Sequence, residues 1–177
     1  MKLLIAYAST EGQTRKIARF VADRLVDAGH SVELLPVSAA QDIDPAHFDR
    51  VILAASVHVG HYQSEMSEFA ATQARALLAR PVLFLSVSLA AAGHDAEDWR
   101  ALDGIVKDFA DATGWQPGQV AQVAGAYKPS EYDIFRRFVM RRIVAAKDPD
   151  ADLDVDHEYT DWDALGALVD EWTSKAA

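Results

Sequence analysis

Residues 2–25 read KLLIAYASTEGQTRKIARFVADRL, an apolar run that stops at a cluster of small hydroxyl residues around one glycine before an amphipathic segment begins. The six residues 3–8 are small or apolar, the length and character of a strand buried on both faces. From Thr14 onward, Ile17, Ala18, Val21, Ala22 and Leu25 recur at spacings of three and four, which gives a helix one apolar face. The junction between them is a strand–loop–helix turn.

Backbone N–H groups at a helix start lack internal partners and carry about half a unit of positive charge, so such a loop accepts an anion. Ser9, Thr10 and Thr14 add hydroxyl donors beside those amides, more than one helix cap requires. Two phosphate motifs are excluded. The nucleoside-triphosphate loop G-x-x-x-x-G-K-[ST] does not occur, and neither does any G-x-G of a dinucleotide fingerprint. Neutral hydroxyls, amides and one glycine, with no lysine inside the loop, suit a single phosphate monoester. The string S-T-E-G-Q-T, residues 9–14, resembles the FMN phosphate loop of the flavodoxin family, [ST]-x-T-G-x-T, through Ser9, Thr10, Gly12 and Thr14. Glu11 is an oddity in such a loop and is expected to point outward.

Strand-like runs recur at 2–7, 31–35, 51–55, 82–87 and 120–124. Helical patterns lie at 13–28, 64–79, 96–113, about 134–146 and 161–174. This alternation predicts an α/β fold, a doubly wound five-stranded parallel sheet with helices on both faces. The expected order is the flavodoxin-like 2-1-3-4-5, with one domain over 1–177. Ligands of such sheets sit at the carboxyl ends of the strands where the order reverses, so the loops after strands one, three and four should carry the chemistry.

The third strand runs into AASVHVGHYQSEM (54–66) and the fourth into LSVSLAAAGHDAEDW (85–99). In the first, a glycine admits close approach of a flat ligand and Tyr62 can stack on it. Zinc would need ligands beyond His58 and His61, so no metal is expected. In the second, Ser86, Ser88 and the small residues 90–93 leave room for a flat ring.

The composition bounds the rest. A chain of 177 residues that is 50% hydrophobic has enough apolar content for a core. There is no cysteine, which removes disulfides and thiol chemistry. A net charge of −10 argues against general nucleic-acid binding. No apolar stretch approaches the about 20 residues of a spanning helix, so a cytoplasmic location is expected. The charge is polarised: 134–147 carries Arg136, Arg137, Arg141, Arg142 and Lys147 with no acid, whereas 148–163 carries eight acids and no Lys or Arg. The basic segment reads as a flawed amphipathic helix. It either packs on the sheet with its arginines snorkelling, or touches anionic lipid or an anionic substrate, which would place the chain peripherally on the inner face of the cell membrane. The acidic run does not match an EF-hand loop, since Leu153 and Tyr159 stand where glycine and glutamate belong; it reads as a solvated excursion.

Beyond these loops, the stretches EGQTRKIA (11–18), FDRVILAASVHVGHY (48–62), FLSVSLAA (84–91), GWQPG (114–118), VAGA (123–126), YDIFRRFVMRRI (132–143) and YTDW (159–162) resemble the menaquinone-dependent protoporphyrinogen IX dehydrogenase family over nearly the whole chain. The resemblance implies an FMN flavoprotein of heme biosynthesis that oxidises protoporphyrinogen IX to protoporphyrin IX, with a tetrapyrrole substrate and a quinone acceptor. It assigns Ser9, Thr10, Gly12, Gln13 and Thr14 to the FMN phosphate, and 56–62 with 86–91 to the ring, including Ser56, Val57, His58, Gly60, His61, Tyr62, Ser88, Leu89 and Ala90. His58, His61 and Tyr62 are catalytic candidates by location alone, since flavin chemistry needs little from side chains. One departure is that AGHDAEDWRALDGIVKDFADATG (92–114) is acidic where the enterobacterial members of the family are basic and proline-containing, which is expected to oppose an anionic substrate. A flavodoxin-type electron carrier, or an FMN-dependent quinone reductase with another substrate, are the alternatives.

Overall fold

The computed structural model describes residues 1–131 and 134–175, with the side chains of residues 131, 134–136 and 138 outside that description. Among the described residues the strands and α-helices follow in the order β1 (Lys2–Ala8), α1 (Gln13–Asp27), β2 (Ser31–Pro36), β3 (Arg50–Ser56), α2 (Ser64–Thr72), α3 (Ala74–Leu78), β4 (Val82–Ser88), α4 (Ala96–Thr113), β5 (Gln119–Ala124), β6 (Ala126–Tyr127), α5 (Ile134–Lys147), β7 (His157–Glu158) and α6 (Trp162–Ser174). Five strands form one sheet in the order β2-β1-β3-β4-β5, every pairing parallel. The chain leaves β1 for β2 on one side and returns to β3 on the other, so the reversal of order falls at the carboxyl ends of β1 and β3.

Strand periodicity divides the core. Leu4, Ala6, Leu53 and Phe84 face Met66, Phe69, Val106, Phe109 and Trp115 on one side. Leu3, Ile5, Ile52 and Leu85 face Ile17, Val21, Leu25, Val169 and Trp172 on the other. Helices therefore cover both faces, and the central strands are buried throughout their length, as their continuous apolar runs require.

Two elements differ from expectation. The helix expected over 64–79 breaks at Gln73, where ψ is 8°, and α3 turns to meet the single-turn helix Pro45–His47. The expected excursion at 148–163 is tied down. Its strand β7 pairs antiparallel with β6, and Tyr127 and Val144 form a third apolar cluster with Met140, Leu153 and Tyr159 partly packed on it. The charge polarity of the sequence is partly resolved here: Arg141 Nη1 lies 2.6 Å from Asp154 Oδ1. Arg137 donates to the Pro129 carbonyl at 2.9 and 3.2 Å, and Arg142 is exposed. Tyr132 and Asp133 of the basic stretch, and the side chains of Ile134, Phe135, Arg136 and Phe138, lie outside the described residues.

Candidate functional site

A cavity of about 720 Å³ opens at the carboxyl ends of β1, β3 and β4, bounded by the three loops that the sheet order singles out. Its volume falls within the range of small-molecule and cofactor sites. At one end stands the 9–14 loop. Gly12 takes φ +86°, a left-handed conformation that a residue with a Cβ resists, and it turns the chain into α1 without any side-chain cap. The Gly12 N–H donates to Ser9 Oγ at 3.0 Å, which fixes the loop's curvature. Thr14 is 1% exposed, and its Oγ1 is buried with no hydrogen-bond partner among the described residues. A hydroxyl left unsatisfied at the positive end of a helix is the donor set of an anion site.

Ser9, Thr10, Gln13 and Thr14 all line this cavity; Gly12 shapes the loop from outside the lining. The Gln13 amide is turned away from it. Its Nε2 donates to Glu158 Oε2 and Thr160 Oγ1, each at 3.0 Å, so toward an anion Gln13 has only its backbone N–H to offer. The YTDW motif explains that turn. Thr160 Oγ1 donates to the Ala124 carbonyl at 2.7 Å, Asp161 caps α6, and Trp162 donates to Glu158 while its ring lies 5.0 Å from Phe20. Lys16 completes the cluster, 2.5 Å from Glu158. Burial pushes the Glu158 carboxyl up, but the donors Lys16, Gln13 and Trp162 outweigh it and hold the group below the ordinary glutamate range.

Sequence reasoning missed two residues here. Lys128, immediately after β6, donates from Nζ to the Glu11 carbonyl at 3.0 Å, and so brings to the loop the cation that the loop itself lacks. Gln63 Nε2 donates to Thr10 Oγ1 at 3.1 Å and to Ser56 Oγ at 2.5 Å, lashing the first loop to the one after β3. Neither belongs to a motif, and each acts across a large sequence separation.

The loop after β3 is a miniature hairpin. His58 N–H donates to the His61 carbonyl at 2.7 Å, and His61 N–H returns the bond at 3.1 Å. The two residues between them, Val59 and Gly60, have φ +50° and +80°. Such a turn favours Asn-Gly, and a β-branched residue with positive φ is strained. Ser56, Val57, His58, Val59 and Gly60 line the cavity, with Val59 at its rim and 86% exposed.

Tyr62 departs from the stacking role expected of it. The hairpin returns the chain toward the sheet, and its ring is 7% exposed in the core, edge-on to Phe84 and Phe109 at 5.0 and 5.1 Å. Its hydroxyl donates to Ser86 Oγ at 2.8 Å. Burial, only partly opposed by Ser86, pushes the phenol up to about 12, so it holds its proton near neutrality. His61 is exposed and outside the cavity lining; of the three catalytic candidates, only His58 lines it.

Beyond β4, Ser88, Leu89 and Ala90 line the cavity, and the Ala91 N–H donates to Ser88 Oγ at 3.1 Å to start a single-turn helix over Ala90–Ala92. The remaining wall comes from two helices. Leu102 and Ile105 of α4 and Val139, Met140 and Ile143 of α5 make it apolar, with Asp98 and Lys147 paired at its edge. Part of the acidity of α4 is absorbed locally. Asp95 caps its own helix through the N–H groups of Glu97 and Asp98, and Asp111 pairs with Lys107. Among the described residues, no group of three or more His, Asp or Glu is placed to hold a metal, and no helix is long and apolar enough to cross a membrane.

Comparison with known proteins agrees with this architecture. The chain is 29% identical over 171 residues to protoporphyrinogen IX dehydrogenase [quinone] of Escherichia coli (strain K12), covering 97% of this chain and 94% of that protein. It is 25% identical over 174 residues to the protein of the same name from Leishmania major, covering 98% of this chain and 75% of that protein. Among solved structures, oxidised flavodoxin 2 of Bacillus cereus superposes with a TM-score of 0.57 at 17% identity, over 99% of this chain and 100% of that one. Residues 4–154 match the flavodoxin domain family, and the chain belongs to it.

Proposed function

We propose that this protein is an FMN-dependent oxidoreductase that converts protoporphyrinogen IX to protoporphyrin IX with a quinone as acceptor. Similarity over 97% and 98% of this chain to two proteins of that name supports the substrate. The observation that carries the reading is the α5 wall. A carrier that hands electrons to other proteins needs an exposed cofactor edge, whereas here Val139, Met140 and Ile143 of α5, with Leu102 and Ile105 of α4, flank an apolar space.

The residues present fit FMN. The partnerless Thr14 hydroxyl, the uncapped start of α1 and Lys128 beside the loop provide for one phosphate monoester. The sequence carries no second nucleotide fingerprint, which favours FMN over FAD. The 58–61 hairpin together with Ser88, Leu89 and Ala90 flanks the space for a flat ring. FMN, when bound, supplies the hydride acceptor. The chain's own work is to bind and orient. Gln63 holds two loops in register, Ser9 sets the phosphate turn, and the apolar wall gives the ring an apolar flank. Tyr62 keeps its proton and stays in the core, so no proton transfer is assigned to it.

Peripheral contact with an anionic membrane belongs to the same proposal. Val139 and Ile143 remain 39% and 37% exposed on α5 beside the exposed Arg142, and quinones reside in bilayers. Vesicles containing anionic lipid should retain the protein at low salt and release it at high salt; equal retention on neutral vesicles would count against it. The cofactor test is direct: flavin released by heat should chromatograph as FMN. Recovery of FAD, or failure of stripped protein to take up FMN, would overturn the reading.

A further inference from the structure

Lys147 sits where two cavities meet. It lines the main cavity with Asp98 and Ile143, and also a smaller one of about 150 Å³ bounded by Leu89, Val144 and Tyr159. Among the described residues lining the main cavity, it is the one Lys or Arg. The other ionisable side chains there are Glu11, at the phosphate loop, His58, on the hairpin, and Asp98 itself.

Its ammonium pairs with Asp98 of the first turn of α4 and also acts on Asp95, so one cation from α5 offsets the acidic start of α4. That arrangement answers the difficulty raised by the acidic 92–114 segment. The acids nearest the cavity do not stand unopposed. They hold in place a cation on a flexible four-carbon stem.

We infer that Lys147 is the substrate-carboxylate anchor of this cavity, exchanging Asp98 for a carboxylate of a flat, otherwise apolar substrate. This rests on the oxidoreductase reading above, which supplies a substrate bearing two propionates. Three features support it. The Lys147 side chain is mostly shielded from solvent, at 18% exposure, so an ion pair there is less screened than one on the open surface. It adjoins the apolar wall of Leu102, Ile105 and Ile143, which suits a ring carrying its charge on a short arm. It also lies beside Gly93, where an added Cβ would be in van der Waals contact with Nζ at 3.5 Å, so the glycine keeps that flank of the ammonium free of a side chain.

The test uses FMN-loaded protein titrated with protoporphyrin IX and with its dimethyl ester in one detergent buffer, followed by porphyrin fluorescence. Wild type should bind the diacid more tightly than the ester. Lys147→Gln should weaken the diacid by roughly 10- to 150-fold, the scale of one charged hydrogen bond, and leave the ester unchanged. Lys147→Arg should keep most of the diacid affinity. In turnover, Lys147→Gln should raise KM for the diacid with kcat unchanged, the signature of lost uniform binding.

Equal weakening of diacid and ester would make Lys147 a packing residue and overturn the inference. So would unchanged affinity for both, or a wild type that prefers the ester. A wild type that binds the diacid through Lys147 yet never oxidises the porphyrinogen would keep the anchor and overturn the oxidoreductase reading. A wild type that binds neither porphyrin would overturn both.

Discussion

Replacing Thr14 by valine should move stability and cofactor affinity in opposite directions. The hydroxyl oxygen is buried without a partner in a residue 1% exposed, while the methyl group and the shape of the side chain are retained in valine. An unsatisfied buried hydroxyl costs about 1–3 kcal/mol. Its removal should therefore stabilise FMN-free protein, by about 1 kcal/mol on the low side of that range. For a chain of this size, that raises Tm by roughly 2–4 °C. With FMN, the same change removes a hydrogen bond to a charged phosphate, worth about 1.5–3 kcal/mol, so Kd should rise by roughly 10- to 150-fold. Thermal unfolding of stripped protein gives the first number, and flavin-fluorescence titration the second. Thr14→Ser, which keeps the oxygen, should retain most of the affinity. A Thr14→Val protein that melts lower without FMN and binds FMN unchanged would show that the hydroxyl serves only the helix, and the reasoning fails.

Val59→Asn should stabilise the protein, because φ +50° strains a β-branched residue by about 1–3 kcal/mol and an 86% exposed side chain has little packing to lose; an unchanged melting temperature would mean the turn is unstrained. Tyr62→Phe should cost about 1 kcal/mol through the lost bond to Ser86 and leave FMN affinity intact; a large fall in affinity would return Tyr62 to the site. Glu158→Gln should flatten the acid limb of stability against pH. The folded carboxyl sits below its unfolded value, so its contribution is present above the ordinary glutamate range and is lost as pH falls through the folded value; denaturant melts across that range should converge for the two proteins at the acid end.

The sheet was legible because its evidence is local. Residues 3–8 and 51–55 are apolar without interruption, which only a strand covered on both faces requires, and strand–helix alternation then implies parallel pairing in the observed order. The helix expected at 96–113 is found there, where the structure caps it with Asp95 and closes it with Gly114 in the left-handed conformation. The placement of the three loops around one cavity followed from strand order alone.

What remained hidden depends on distant partners. Nothing around Lys128 marks it as a neighbour of Glu11, 117 positions earlier. Gln63 looks like an ordinary polar residue before a helix until the fold sets it between Thr10 and Ser56. Tyr62 lies in a loop full of site-like residues, and only the positive-φ turn at 59–60 sends its ring into the core instead of the cavity. Strands of two residues, β6 and β7, are too short to show any period, so the ribbon that ties down the acidic excursion left no pattern to read. The break at Gln73 is a change of one ψ angle within a continuous apolar period.

The central claim is that this cavity hosts oxidation of a reduced tetrapyrrole. Its most direct measurement mixes FMN-loaded protein, protoporphyrinogen IX and a menaquinone analogue without oxygen, and records porphyrin fluorescence together with quinone reduction. The account predicts that porphyrin appears with turnover, at three quinones reduced per porphyrin formed, and only when protein and quinone are both present. No porphyrin from protein that retains its FMN and passes single electrons to an acceptor protein would contradict it, and would make the molecule a carrier.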